Sequence, residues 1–187
     1  MTLNTRLTLI ARVRDPRDDQ AWSEFVTLYT PIIFAFLRKR GLTSTDSEDV
    51  TQEVFRALSN ALPTFQLDKS IGTFRNWLFT VTRSKLNTFF TQSKRVDIPA
   101  ENLPESTETK DWDELYMKEI FARACQQVES QVEQSTWQAF WRTAVELESP
   151  EDVATSLNLS IDNVYQKKSR VAARIREAIR ELDETAI

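Results

Sequence analysis

The 187-residue chain contains no histidine, two glycines and one cysteine. Without histidine, it can build neither a histidine-based catalytic triad nor a histidine-ligated metal site. The single Cys125 excludes an internal disulfide and a multi-cysteine zinc site, and its helical apolar surroundings are typical of a small core residue. Gly41 and Gly72 are too few for the turns of an all-β protein, and they form no glycine-rich phosphate loop.

Long apolar runs are also missing. No stretch reaches the ~18 apolar residues of a membrane span, and the first residues, MTLNTRLTLIARVRD, lack the apolar run of a signal peptide. We therefore expect a cytoplasmic protein without a membrane partner. Hydrophobic residues make up 41% of the chain and charged residues 28%, which is typical of a folded, soluble protein. The expected fold class is all-α.

Charge is distributed unevenly along the chain, although the net charge is only −4. Residues 1–96 carry 14 basic and 9 acidic residues, and residues 97–120 carry 2 and 8. The acidic stretch contains two prolines and a polar run, which is typical of a linker of limited order. The sequence therefore predicts two small helical domains, 1–95 and 113–187, joined by a flexible acidic linker at 96–112.

Eight helices are predicted from the apolar periodicity and the helix-ending residues. Pro31 is expected to break the second helix, Gly41 to end it, and Thr45 with Glu48 to form a capping box at the start of the third. The predicted helices cover 6–14, 19–40, 45–61 and 72–90 before the linker, and 112–130, 135–146, 150–157 and 161–182 after it.

The stretch SPEDVATSLNLSIDNVYQKKSRVAARIREAIREL, residues 149–182, contains its own helix boundaries. Ser149 is a suitable N-cap, and Pro150 suits the first helical position. Asn158 can adopt the left-handed conformation that ends a helix, and Ser160 can cap the next one. The pattern predicts a helix, a turn of about three residues and a second helix, as in a helix-turn-helix motif.

The second of these helices has one face whose side chains can contact base edges or phosphates. Residues 163–180 also carry six basic residues and one acidic residue. Because charge runs are often only solvated faces, an ordinary surface helix is the alternative interpretation. The residues of the face are Asn163, Gln166, Lys167, Arg170 and Arg174, with Tyr165 beside them.

The stretch DSEDVTQEVFRAL, residues 46–58, predicts an amphipathic helix with an acidic, partly polar face. Paired carboxylates can support acid–base catalysis or metal binding. No other acidic group obviously converges on this face, and no histidine or cysteine is available. The face is therefore either solvated or a docking surface for a basic partner.

The stretch GTFRNWLFTVTRSKLNTFF, residues 72–90, mixes aromatic rings with cations and amides. At 100° per residue, one side is apolar and is expected to be core, whereas the other carries a polar stripe. Phe79 lies at the edge of that stripe between Arg75 and Arg83, where it is either a core ring or a ring for stacking on bases. The core side comprises Phe74, Trp77, Leu78, Val81 and Phe89; the stripe comprises Asn76, Thr80, Arg83 and Asn87.

Three segments in this order resemble a bacterial sigma factor of the sigma-70 family, in the compact extracytoplasmic-function group. The matching segments are DSEDVTQEVF (46–55), GTFRNWLFTVTRSKL (72–86) and VATSLNLSIDNVYQKKSR (153–170). The resemblance implies region two in residues 1–95 and region four, a helix-turn-helix domain, in residues 113–187. The chain departs from the usual pattern at Ser84, where asparagine is frequent, and at Asn158, where glycine is usual.

The resemblance also implies a role for each segment, and it shifts the interpretation of Phe79 towards base stacking. The 46–58 helix would dock on the coiled coil of the polymerase β′ subunit through Asp46, Asp49, Gln52, Glu53 and Phe55. The 72–90 helix would bind and help open the promoter's minus-ten element through Arg75, Asn76, Trp77, Phe79, Arg83, Ser84, Lys85 and Asn87. The last domain would touch the β flap and bind the minus-thirty-five element through Asn163, Tyr165, Gln166, Lys167, Arg170 and Arg174.

The implied function is that of a promoter-specificity subunit whose partners are core RNA polymerase and promoter DNA. The expectation includes no catalytic residue, no metal and no cofactor, and it leaves open whether an anti-sigma factor binds. A stand-alone helix-turn-helix repressor is the first alternative, although it would usually dimerise and would leave the first two segments unexplained. A helical adaptor without a DNA role is the second, and an enzyme is the third.

Overall fold

The computed structural model describes residues 9–65, 73–93 and 105–182, and every regular element in these ranges is helical. The all-α prediction is thus confirmed. The chain divides into two compact units, Met1–Glu119 and Ile120–Ile187. The helices are α1 (Leu9–Val13), α2 (Asp19–Lys39), α3 (Ser44–Ala61), a 3₁₀ turn (Leu62–Thr64), α4 (Phe74–Ser93), α5 (Glu105–Glu129), α6 (Gln134–Ala144), α7 (Pro150–Leu157) and α8 (Ile161–Leu182).

Helix α2 contributes much of the core of the first unit and runs through Pro31 without ending. A proline inside a helix removes one backbone hydrogen bond and costs about 3 kcal/mol. The buried residues Leu28, Tyr29, Ile32 and Ile33 flank the proline on both sides, and their packing offsets that cost. The predicted break at Pro31 is therefore wrong, whereas Gly41, with φ 87°, follows the helix end as predicted.

Helix α3 begins one residue earlier than predicted, and a different pair of residues caps it. The hydroxyl of Thr43 accepts a hydrogen bond from the backbone N–H of Asp46 and donates one to the Asp46 carboxylate. The predicted capping box of Thr45 and Glu48 is therefore wrong, because Thr43 caps the helix instead. The correct cap uses the same chemistry, since a threonine hydroxyl satisfies an otherwise unpaired donor at the helix start.

Helix α5 begins at Glu105, inside the predicted linker, so residues 105–112 are helical rather than of limited order. Residues 94–104, the rest of that region, lie outside the described residues. Trp112 and Tyr116 are fully buried in the first unit, where the Trp112 ring lies 5.4 Å from that of Phe36. The two compact units divide at 119/120, and the functional boundaries at 95 and 112 remain a prediction.

The second unit has two small apolar clusters that hold α6, α7, α8 and the end of α5. Its local boundaries follow the predicted signals. Ser149 accepts from the N–H of Asp152, Asn158 is left-handed with φ 53° and ψ 47°, and Ser160 accepts from the N–H of Asn163. Helices α7 and α8 are thus separated by a short, defined turn, as the capping residues indicate.

No helix within the described ranges is both long enough and apolar enough to span a membrane.

Candidate nucleic-acid interface

Helix α4 presents the predicted polar stripe on its outer side. Asn76, Thr80 and Asn87 are exposed and Arg83 is half-buried. The hydroxyl of Thr80 donates to the carbonyl of Asn76, 2.9 Å away, so this hydroxyl is already satisfied within the helix. The exposed amides and cations are therefore the groups best able to contact a nucleic acid. A shallow groove along the C-terminal half of the stripe is lined by Thr80, Arg83, Ser84, Asn87, Thr88, Thr91 and Gln92.

Phe79 does not lie on this outer surface, so the expectation of a ring held out for base stacking is wrong in this structure. Its side chain is only 7% exposed. The ring packs edge-on against Phe36 of α2 at 5.7 Å and lies tilted against Trp112 of α5 at 5.6 Å. Trp112 belongs to the segment that was predicted to be a linker. The sequence therefore did not indicate that its ring would cover Phe79 and bury it in the core.

Trp77 is the more accessible ring of α4. It is half-buried and lies against Phe65 at 4.3 Å and Phe74 at 5.6 Å. The prediction of which residues form the buried side of α4 is partly wrong. Val81 and Phe89 are only half-buried, whereas Thr82 and Leu86 are buried. Among the remaining predicted DNA contacts, Ser84 is exposed and Lys85 is half-exposed.

The arginines of α4 face carboxylates of α5. Arg75 Nε lies 3.3 Å from Asp113 Oδ1, and its guanidinium lies 5.4 Å from the ring centre of Tyr116. Arg83 Nε lies 2.7 Å from Glu108 Oε2. Two of the cations expected to contact DNA phosphates are thus paired with this chain's own acidic groups.

The same acidic segment also pairs with the end of α2. Arg40 Nη1 lies 2.9 Å from Asp111 Oδ2, Arg40 Nε lies 3.6 Å from Glu108 Oε1, and Lys39 Nζ lies 2.7 Å from Asp111 Oδ1. The side chain of Arg40 is only 8% exposed, and those of Glu108 and Asp111 are 14% exposed. Ion pairs as enclosed as these are screened by salt less than surface pairs.

The pairing with Lys39 and Arg40 affects the pKa of Asp111. Burial is the largest single influence and would raise the pKa of Asp111, but the hydrogen bonds from Lys39 and Arg40 together outweigh it. The net result is that the pKa of Asp111 lies below its ordinary value. The aspartate therefore stays ionised, and its pairing persists, throughout the neutral pH range.

The α3 residues predicted to bind polymerase divide between surface and core. Asp49, Gln52 and Glu53 are exposed, and Asp46 is half-buried beside its Thr43 cap. Glu53 also forms an ion pair with Arg56 on the next turn. Phe55 is instead buried, with its ring 6.1 Å from that of Trp22 and 6.2 Å from that of Phe25.

Helix α8 places most of its predicted DNA-binding residues on one exposed face, while Val164, Val171 and Ile175 are buried on the other. Tyr165 is 53% exposed and is thus an accessible ring. Lys167 is half-buried because its ammonium group donates to the hydroxyl of Thr136, 2.7 Å away. The exposed residues of this face are Asn163, Tyr165, Gln166, Arg170 and Arg174.

Sequence reasoning missed the residues of α5 and α2 that surround the interface. Glu108, Asp111 and Trp112 are spaced three and four residues apart, so on a helix they share one face. This spacing was the available signal, but two prolines and the acidic composition favoured a linker. Within the described residues, no group of three or more acidic or cysteine side chains is placed to hold a metal ion.

Part of the chain is similar to a known protein family. The family described as Sigma-70 region 2 matches residues 25–96, which include α3 and α4. A relative in Cereibacter sphaeroides, described as the ECF RNA polymerase sigma factor RpoE, is 28% identical over 79 residues. These residues are 42% of this chain and 42% of that relative, so the match spans less than half of either protein.

A solved structure described as CnrH in complex with the cytosolic domain of CnrY is also similar to this chain. The two are 19% identical, the alignment covers 90% of this chain and 93% of the other, and the TM-score is 0.38.

Proposed function

We propose that this chain is a sigma factor of the sigma-70 family, in the extracytoplasmic-function group, and that it directs promoter-specific transcription initiation. The family comprises non-enzymatic transcription regulators. The observation that carries the proposal is the region 2 match over residues 25–96, because this segment contains both the exposed acidic face of α3 and the polar stripe of α4.

In the proposed complex, α3 docks on the β′ subunit of core polymerase. Asp49, Gln52 and Glu53 supply an exposed polar surface with acidic groups, which suits a basic partner by charge complementarity. Phe55 supports this surface from inside, because its ring is packed between α3 and α2. Asp46 contributes mainly by fixing the start of α3 through its bonds with Thr43.

The polar stripe of α4 contacts the minus-ten element in this proposal. Arg75, Arg83 and Lys85 are the groups for phosphates, and the amides of Asn76 and Asn87 are the groups for base edges, since amides can both donate and accept hydrogen bonds. Trp77 replaces Phe79 as the ring available to an unstacked base, because Trp77 is only half-buried whereas Phe79 is buried.

Helix α8 binds the minus-thirty-five element in the same proposal. Its exposed amides, cations and Tyr165 follow a short turn, and the early residues of such a helix are the ones that reach base edges in the major groove. Lys167 donates a hydrogen bond to Thr136 at the edge of this face, and the proposal assigns its ammonium group to a phosphate. Contact with the polymerase β flap, and binding of an anti-sigma factor, remain predictions from the resemblance.

Run-off transcription with purified core polymerase and genomic fragments tests the proposal. We expect discrete start sites that require this chain, with two shared sequence elements upstream. The Asp49→Lys, Glu53→Lys variant tests the docking surface. It reverses two exposed charges on α3, so it should remain folded and lose polymerase binding. Failure of the folded wild-type chain to bind polymerase would refute the proposal, and a dimer that binds DNA without polymerase would favour a repressor.

A further inference from the structure

The acidic beginning of α5 occupies the surroundings of the cations that the proposed function assigns to DNA. Glu108 pairs with Arg83 and Arg40, Asp111 pairs with Lys39 and Arg40, and Asp113 pairs with Arg75. Carboxylates at such positions present negative oxygens to the guanidinium groups, as the phosphates of a DNA backbone would. We refer to residues 105–116 as the acidic cover.

The acidic cover is also anchored by apolar contacts. Trp112 is fully buried and contacts the rings of Phe36 and Phe79, and Tyr116 lies 6.4 Å from Tyr29. The segment therefore combines a neutralising charge pattern with a tryptophan anchor. This combination distinguishes it from a run of solvated acidic residues, which would have no reason to be buried.

The fit between the cover and the cations is imperfect. Among the described residues, buried polar atoms without a hydrogen-bond partner include Arg40 Nη2, Arg75 Nε, Asp113 Oδ1 and the indole nitrogen of Trp112. Arg75 Nε and Asp113 Oδ1 are close enough for an ion pair but are not aligned for a hydrogen bond. Because burying polar groups without partners is costly, the covered arrangement gives up part of the stability that its ion pairs provide.

We propose that the acidic cover is an autoinhibitory element: residues 105–116 bind the cationic side of α4 in the free chain and must leave it before DNA can engage Arg75 and Arg83. This inference rests on the proposed function for the identity of the competing ligand. The acidic cover thus competes with DNA from within the same chain. Because only uncovered molecules can bind DNA, the apparent affinity is the intrinsic affinity multiplied by the uncovered fraction.

Fluorescence anisotropy with a labelled DNA duplex of arbitrary sequence tests this inference on the full chain without polymerase. The test variant is Glu108→Gln, Asp111→Asn, which removes two negative charges and the ion pairs that they form with Lys39, Arg40 and Arg83. The matched control is Glu48→Gln, Glu129→Gln, which changes the net charge equally at two exposed positions outside the acidic cover. If about one molecule in ten is uncovered in the wild type, the test variant should bind about tenfold more tightly.

The control variant should bind as the wild type does, and adding Arg83→Ala to the test variant should remove most of the gain. Trp112→Leu provides a second test variant without any change in charge, and it too should bind more tightly, because it weakens the apolar anchor. Circular dichroism establishes that each variant is folded, and Trp112→Leu decides the result if the charge variant has lost helix.

Equal affinity in the folded test and control variants would overturn the inference, as would a gain of the same size in the control, which would reflect net charge alone. Failure of the proposed function is a separate result. A chain that gives no polymerase-dependent transcription, but whose test variants bind the duplex more tightly, would keep the cover and lose the sigma-factor assignment.

Discussion

Phe79 provides the sharpest test of the structure, because its sequence and its environment point to different roles. We expect Phe79→Ala to destabilise the first unit by about 3–5 kcal/mol, the usual cost of removing a buried phenylalanine side chain. An exposed ring held out for DNA would instead change stability by roughly 0.5 kcal/mol or less. The two roles therefore differ by several kcal/mol in the free energy of unfolding.

The magnitude follows from what surrounds the ring. Full burial of a phenylalanine side chain contributes about 1.5–3 kcal/mol, and Phe79 is 7% exposed. Its pairs with Phe36 and Trp112, at 5.7 and 5.6 Å, each add about 0.5–1.5 kcal/mol beyond burial. Phe79→Leu keeps much of the apolar volume but loses both ring pairs, so it should cost about 1–3 kcal/mol, less than Phe79→Ala.

Urea unfolding followed by circular dichroism measures this difference, with a separate transition fitted for each compact unit. A loss of about 4 kcal/mol moves the midpoint of the first unit by roughly 2 M urea. Tyr165→Ala is the control, since Tyr165 is 53% exposed and its removal should leave both transitions in place. A Phe79→Ala variant that unfolds at the wild-type urea concentration would refute the burial argument.

Three further predictions concern the turn, the α8 face and the acidic cover. Asn158→Val should destabilise the second unit by about 1–2 kcal/mol in urea, because a β-branched residue is strained in the left-handed conformation, whereas Asn158→Gly should stay near wild type. Arg170→Ala should weaken duplex binding in anisotropy and lower its salt dependence by about one phosphate contact, while Glu177→Ala should not weaken it. The pKa of Asp111 is lowered by Lys39 and Arg40 in the folded state, so its stabilising effect is complete above about pH 4 and is lost as pH falls through the folded pKa; the hydrogen-exchange protection factors of residues 105–116, each taken relative to the unstructured rate at the same pH, should fall there, and equal protection factors at acidic and neutral pH would contradict the pairing.

The sequence predicts best the features that depend on neighbouring residues. Ser149, Asn158 and Ser160 end or begin helices through bonds to backbone groups within a few positions, so their types and spacing were sufficient. The same holds for the buried stripe of α8, where Val164, Val171 and Ile175 follow the helical period. These features need no information about the rest of the fold.

The features that sequence reasoning misjudged depend on residues far along the chain. Pro31 stays inside a helix because packing on both sides offsets its local cost. Phe79 is buried because Trp112, 33 positions later, covers it. Local composition is typical of a linker around Trp112, whereas the burial of its ring and the pairing of the neighbouring carboxylates with Arg40 and Arg83 make this segment part of the first unit.

The ion pairs between α5 and the cations of α2 and α4 also affect how the free chain responds to its ionic surroundings. Added salt weakens contacts with DNA phosphates, and it also weakens the pairing that keeps the cations covered, although to a smaller extent because these ion pairs are enclosed. The two effects oppose each other in the observed affinity, since one reduces binding while the other releases binding-competent molecules. We therefore expect the affinity of the wild-type chain for DNA to fall less steeply with added salt than that of a chain whose carboxylates have been neutralised.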